Sequence, residues 1–327
     1  MFCFHRLGLR AAAALIVGLG IATSAQAEFP DRPIQFVSPY AAGGANDFLT
    51  RLMAQHMGDE LKTTIVVDNR AGANGVVGAS FVAKAQPDGY TVLMGNSATH
   101  GTNPTLYPDV TYDPVKDFAP IGMVGSVPIV LAVNAKLNVR TVAELIAYGK
   151  ANPSKLSYGS SGIGGTGHLA GEAFNAAAGL DMVHVPYKGD APAAADAMGG
   201  QVSMAFVGVA SAASMLQSGK IRILAVASPK RSSSLPDVPT LEEAGFKGLY
   251  FAQWYALFTR AGTPAATIEK LNGALKLALA RSDVKKAMAS QGADAAYTTP
   301  AALNTFYRSE VKRFGEIIHR LNIKATN

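Results

Sequence analysis

From about residue 34 onward, short runs rich in valine and isoleucine alternate with stretches whose apolar residues recur every three or four positions. Strands are predicted at 34–37, 65–67, 91–94, 129–133, 182–186, 203–206 and 221–227. These runs are continuously apolar rather than alternating, which suits strands covered by helices on both faces of a parallel sheet. Between the first two, Leu49, Leu52, Met53 and Met57 fall on one face of a helix. Thr141 and Glu144 have the spacing of a capping box ahead of Val142, Leu145 and Ile146. Near the end, Leu303, Phe306, Phe314, Ile317 and Leu321 repeat the helical signal. Strand–helix alternation of this kind predicts an α/β fold. The runs at 129–134 and 249–259 read as connectors crossing between two lobes, so the middle of the chain forms one lobe and its two ends the other.

The first 27 residues follow a different pattern. His5, Arg6 and Arg10 make a basic start, and residues 11–21 form an apolar run too short to span a bilayer, which needs roughly 20 residues. The run leads to Ala25-Gln26-Ala27, a small-residue cleavage site of a secretory signal. Cleavage there removes Cys3, the single cysteine, so no disulfide contributes to the exported chain. The organisation expected is therefore a signal peptide at 1–27, lobe 1 at 28–128 plus 255–327, and lobe 2 at 129–254. Export to the periplasm in soluble form follows.

Charge narrows the partners. The sequence carries 29 basic and 23 acidic residues for a net +6, and loss of Arg6 and Arg10 leaves a mild excess without a basic run. Nucleic acid and anionic membrane are poor partners for such a chain.

Three loops join predicted strands to predicted helices and carry the candidate chemistry. The first runs through Tyr40, Ala42, Gly43, Gly44 and Asp47; the second contains Ser97; the third includes Ser161, Gly164, Gly165, Thr166 and His168. A helix start leaves backbone N–H groups unpaired, its dipole favours an anion, and glycine lets the backbone approach a ligand closely. In an open α/β sheet such loops lie at the carboxyl ends of strands, where ligands bind. Tight turns alone would also explain each glycine. Asp47 suits a role in ordering its own loop as well as a ligand contact, His168 suits a bond to backbone, and His184 suits the core.

Catalytic readings find little support. Gly162-x-Gly164-x-x-Gly167 fits a dinucleotide fingerprint with Asp190 downstream, but the pattern alone is weak, it comes late in an exported chain, and Pro186-Tyr187 interrupts the strand. No G-x-S-x-G elbow and no H-E-x-x-H occurs, and the histidines show no metal-ligand spacing. Anion cradles without a nucleophile–base pair describe a binder with no cofactor and no metal.

Ordered blocks along nearly the whole mature chain carry a resemblance: Gly43-Gly44-x-x-Asp47, Asp68-Asn69-Arg70-Ala71-Gly72-Ala73, Pro87-Asp88-Gly89-Tyr90-Thr91, His168-Leu169-Ala170-Gly171-Glu172, His184-Val185-Pro186-Tyr187-Lys188-Gly189 and Leu235-Pro236-Asp237-Val238-Pro239-Thr240. The chain resembles the extracytoplasmic solute receptors of the tripartite tricarboxylate transporter family, the Bug-type receptors. That resemblance implies a class II periplasmic-binding-protein-like α/β fold, with two lobes closing on a cleft. It implies a small organic acid as ligand (a di- or tricarboxylate, an aromatic carboxylate or a related metabolite), delivered by a monomer to membrane permease subunits. The first pocket loop maps to 40–47 and the second to 160–168, with Tyr187 in a further matching block. A ligand sensor feeding a membrane kinase is the alternative, and an exported hydrolase or isomerase a more distant one. Ile163 and Gly165 stand where the common form has Asn and Thr, with Thr166 one position later, and Val207-Gly208 replaces a polar residue. These departures predict a less polar pocket and an acid with a larger apolar body. Arg51 and Arg70 are expected in structural ion pairs.

Overall fold

The computed structural model describes residues 28–325 except 233. The expected signal peptide at 1–27 lies outside the described residues. The chain runs β1 (Ile34–Ser38), α1 (Ala45–Leu61), β2 (Ile65–Asn69), α2 (Val76–Ala83), β3 (Thr91–Asn96), α3 (Asn103–Leu106) and the 17-residue β4 (Phe118–Asn134). It continues through α4 (Val142–Ala151), β5 (Ser157–Ser160), α5 (Thr166–Ala178), β6 (Val183–Pro186), α6 (Asp190–Gly199), β7 (Met204–Gly208), α7 (Val209–Ala213) and β8 (Ile221–Val226). It closes with β9 (Ala252–Arg260), α8 (Ala265–Ala280), α9 (Ser282–Ser290), β10 (Asp294–Ala295) and α10 (Pro300–Arg320).

The strands line up as β2-β1-β3-β9-β4-β7-β5-β6, with β8 and β10 also paired to β4. Two parallel groups stand at the ends of this order: β2, β1 and β3 on one side, β7, β5 and β6 on the other. β4 joins them. Its first part pairs antiparallel with β9, from Phe118 opposite Arg260 to Pro128 opposite Ala252. Its last part pairs antiparallel with β7, from Ile129 opposite Gly208 to Val133 opposite Met204. The sheet is therefore mixed, where the continuously apolar runs suited a parallel one. Apolar runs buried on both faces look alike whichever way the strand points. Strand direction is set by connections that the hydrophobic pattern does not encode. The run at 129–134 is accordingly the end of a long crossing strand, and much of 249–259 belongs to β9.

The helical readings match the burial. Leu49, Met53 and Met57 of α1 are fully buried and Leu52 packs beside them. Thr141 accepts the Glu144 N–H at 3.1 Å, while the Glu144 carboxylate accepts from Arg140 N at 2.7 Å, one residue earlier than a reciprocal capping box would place it. In α10, Leu303 lies in the core around Phe258 and Trp254. Phe314, Ile317 and Ile318, farther along the same helix, join Leu169, Phe174, Phe206 and Phe251. This last helix thus packs on elements of both strand groups.

What matters for function is where the parallel strands end. The carboxyl ends of β1, β3, β5 and β6 lead into the loops at 39–44, 97, 161–165 and 187–189, and all four loops contribute to one cleft.

Candidate functional site

The cleft encloses about 470 Å³. Another groove, of about 590 Å³, lies between Leu106, Tyr107 and the segment from Ile318 to Ala325. Volume favours the second, but the first gathers helix starts, hydroxyls, amides and two charged side chains on one space. Convergent polar groups mark it as the candidate site.

The wall from β1 and α1 is held by side-chain amides. Ser38 donates to Asn46 Oδ1 at 3.0 Å, and Asn46 Nδ2 donates to the Met94 carbonyl at 3.1 Å, which ties the start of α1 to β1 and β3. Gly44 caps α1 with extended backbone and no side-chain cap, so Gly44, Ala45 and Asn46 bring an uncapped helix start to the cleft. Asp47 sits behind it. Its Oδ2 accepts from Gly43 N at 3.0 Å and Arg51 Nε at 3.1 Å, and its Oδ1 accepts from Asn69 at 2.8 Å. Burial opposes its charge, but bonds from Arg51, Gly43 N and Asn69 outweigh that and hold the carboxyl below its ordinary pKa. The Tyr40 hydroxyl donates to the Asn74 carbonyl at 3.2 Å, and burial pushes its pKa up to about 12.

The opposite wall comes from β5, β6 and the helices that follow them. Gly165 caps α5, again without a side-chain bond, and Ser161 and Thr166 line the cleft. Gly164 has φ of +75°, and a Cβ there would stand 2.0 Å from Leu106 Cδ2. Its N–H is taken by His168 Nδ1 at 3.0 Å. The His168 ring stacks on His184 at 4.0 Å, and His184 Nε2 bonds Ser160 Oγ at 2.7 Å. Burial pushes the pKa of His168 down to about 3, helped by His184, and that of His184 down to about 4. Both imidazoles are neutral braces for the third loop. His184 is half-buried and bonded to this loop rather than sealed in the core.

Between the walls, Ser97 Oγ and Thr166 Oγ1 share a hydrogen bond of 3.0 Å. Ser97 leads into a turn of π-helix (Ala98–Thr102), and Asn96 Oδ1 accepts the N–H groups of Ala98 and Thr99 at 3.1 and 3.0 Å.

Of the residues singled out from sequence, Tyr40, Ala42, Gly44, Ser97, Ser161 and Thr166 line the cleft together. Gly43, Asp47, Gly164, Gly165, His168 and Tyr187 stand outside its lining and brace the loops that form it. The Tyr187 hydroxyl, for example, donates to Asp196 at 2.7 Å. Arg51 and Arg70 pair with Asp47 and Asp68 at 3.1 and 2.6 Å, as structural partners.

Sequence reasoning missed Asn74, Asn96, Lys188, Asp190, Gln253 and Tyr255, all of which line the cleft. Their position at or just after strand ends was a usable signal for Asn96, Lys188 and Asp190. Nothing marked Gln253 and Tyr255, which enter from the crossing strand β9. Ile163, Gly165, Val207 and Gly208, from which a less polar pocket is expected, are not among the residues lining the cleft, where alanines and glycines stand beside amides, hydroxyls and two charged side chains. Among the described residues no cluster of His, Cys, Asp or Glu could hold a metal ion, and no helix is long and apolar enough to cross a membrane.

The family model of the tripartite tricarboxylate transporter family receptor matches residues 49–323. Protein BugT of Bordetella pertussis is 35% identical over 311 residues, covering 94% of this chain and 95% of its own. The Rhodopseudomonas palustris protein MatC, solved with bound malate, is 31% identical with a TM-score of 0.76, covering 89% of this chain and 100% of its own. R. palustris Rpa4515, solved with adipate, is 34% identical with a TM-score of 0.80, covering 91% and 99%.

Proposed function

This chain belongs to the tripartite tricarboxylate transporter receptor family, whose members are periplasmic solute-binding receptors and not enzymes, and from that premise we propose that it captures a small organic acid in the cleft and delivers it to membrane permease subunits. Its fold is the two-lobed α/β fold of periplasmic binding proteins. The lobes we assign are 28–128 with 255–327, and 129–254, with a leader at 1–27 that sends the chain to the periplasm. The ligand classes are di- and tricarboxylates, aromatic carboxylates and related metabolites.

The observation that carries the proposal is the Ser97–Thr166 hydroxyl pair, set where the uncapped starts of α1 and α5 reach the same space. Hydroxyls and free backbone N–H groups from both sides hold a carboxylate without an arginine clamp. A hydrogen bond to a charged group contributes about 1.5–3 kcal/mol, so four or five supply roughly 6–15 kcal/mol before ordering costs. Micromolar binding requires about 8 kcal/mol.

Mass spectrometry of small molecules released from the protein purified from its native periplasm, followed by calorimetry with the acid found, tests this. An organic acid that binds stoichiometrically, and more weakly once cleft residues are changed, is the expected result. Binding indifferent to every cleft substitution would refute the assignment of the site. Small-angle scattering tests the lobes: saturating acid should shrink the radius of gyration as they close. An unchanged radius would count against them.

A further inference from the structure

Asp190 is the first residue of α6, follows Gly189 at the end of the loop after β6, and lines the cleft. Its two oxygens are treated very differently. Oδ2 accepts from Gly208 N at 2.9 Å and from Gln253 Nε2 at 3.1 Å, while Gln253 Oε1 accepts from the Tyr255 hydroxyl at 3.2 Å. Oδ1 is shielded from solvent and has no hydrogen-bond partner, although the residue as a whole keeps some exposed surface. Buried polar atoms are nearly always paired, and one left bare at a binding cleft points to a partner that arrives with the ligand.

The surroundings say what that partner must be. Burial pushes the Asp190 carboxyl above its ordinary pKa; the bonds from Gly208 N and Gln253 and the nearby Ser161 hydroxyl, which makes no bond of normal geometry to it, oppose that shift, and no cation is among these influences. Gln253 and Gly208 already use Oδ2, so the fold orients the carboxyl and leaves Oδ1 as the oxygen without a partner. Of the residues lining the cleft only Lys188 and Asp190 are charged. A plain dicarboxylate reaching toward Asp190 would set carboxyl oxygen against carboxyl oxygen in a poorly hydrated space and bring no donor for Oδ1. A ligand carrying a donor there would meet an acceptor already in position.

We infer that Asp190 is a specificity-determining residue whose Oδ1 receives an ammonium or hydroxyl group of the bound acid, so that the cleft prefers amino or hydroxy acids to their unsubstituted counterparts. This inference rests on the carboxylate-receptor reading above and adds the chemistry of the ligand's second contact. The carboxylate of the ligand goes to the helix starts and hydroxyls; its donor goes to Asp190.

The test is calorimetry at pH 7 on two matched series: succinate, malate and aspartate, then adipate and 2-aminoadipate. Wild-type protein is expected to bind a donor-bearing member roughly tenfold or more tightly than its unsubstituted partner, the range of one hydrogen bond to a charged group. Asp190→Asn keeps the shape, removes the charge and turns one acceptor into a donor. It should erase that preference and strengthen binding of the unsubstituted acid. Equal binding of substituted and unsubstituted acids by the wild type would overturn the inference while leaving the receptor intact. So would a preference that survives Asp190→Asn. Should the variant fail to fold, the wild-type ratio within each series decides alone. If no acid in either series binds, the receptor reading fails for these acids and the inference falls with it.

Discussion

Ser97 and Thr166, 69 positions apart in the sequence, share a hydrogen bond of 3.0 Å that links the loop after β3 to the start of α5. Both residues are nearly fully buried, at 3% and 4% exposure, and both still line the cleft. The bond therefore sits where the two walls meet, and the same hydroxyls are the ones an incoming carboxylate would use.

Ser97→Ala and Thr166→Ala should each weaken acid binding by about 0.5–3 kcal/mol, the worth of one hydrogen bond. The double variant should lose less than the sum, because the two hydroxyls share one bond and one ligand. Calorimetry on the two single variants and the double measures this coupling. Strict additivity would mean that the hydroxyls act on separate partners.

Gly164→Val should destabilise the ligand-free protein as well as weaken binding. Its backbone at φ of +75° disfavours a side chain by about 1–2 kcal/mol, and the new Cβ would collide with Leu106 Cδ2. Leu106→Ala in the same chain removes the collision but not the backbone strain. Denaturant unfolding of the four proteins in this cycle should show favourable coupling between the two substitutions. No coupling would mean the loop moves aside without cost.

Asp47→Ala should lower both stability and affinity, since it releases Gly43 N, Asn69 and Arg51 together. Arg51→Ala should cost within about 1 kcal/mol, as its side chain is 53% exposed and exposed ion pairs contribute little. The contrast separates a loop brace from an arginine clamp. Abolished binding in folded Arg51→Ala would show that the clamp exists.

Acid should loosen the third loop. The folded state depresses the pKa of His168 to about 3 and of His184 to about 4, from an ordinary value of 6.5. The unfolded chain takes up these protons first, so stability is complete above about pH 6.5 and falls as pH drops toward those folded values. Each imidazole contributes a slope of up to about 1.4 kcal/mol per pH unit. His168→Gln keeps an acceptor for Gly164 N and should flatten the slope between pH 6.5 and 5, a window above the ordinary carboxylate range. Melting temperatures across that window provide the check, and an unchanged slope would remove His168 from the account.

By itself the sequence determined the local elements, because periodicity and capping are short-range. The buried stripe of Leu49, Met53 and Met57, the Thr141 cap and the glycine-bearing loops at 43–44 and 162–165 are all legible from neighbours a few residues apart. The ordered blocks also carried the family, because each is a local string. Tertiary structure alone decided that β4 pairs antiparallel with β9 and with β7 between two parallel groups, since strand direction depends on connections and not on hydrophobicity. It also decided which polar residues share the cleft. Asn74, Asp190 and Gln253 come from three distant segments, and no local pattern says that they meet. Asp190 shows the physical reason most directly: its partners Gly208 and Gln253 lie 18 and 63 positions away, and only chain folding leaves its Oδ1 dry and unpaired.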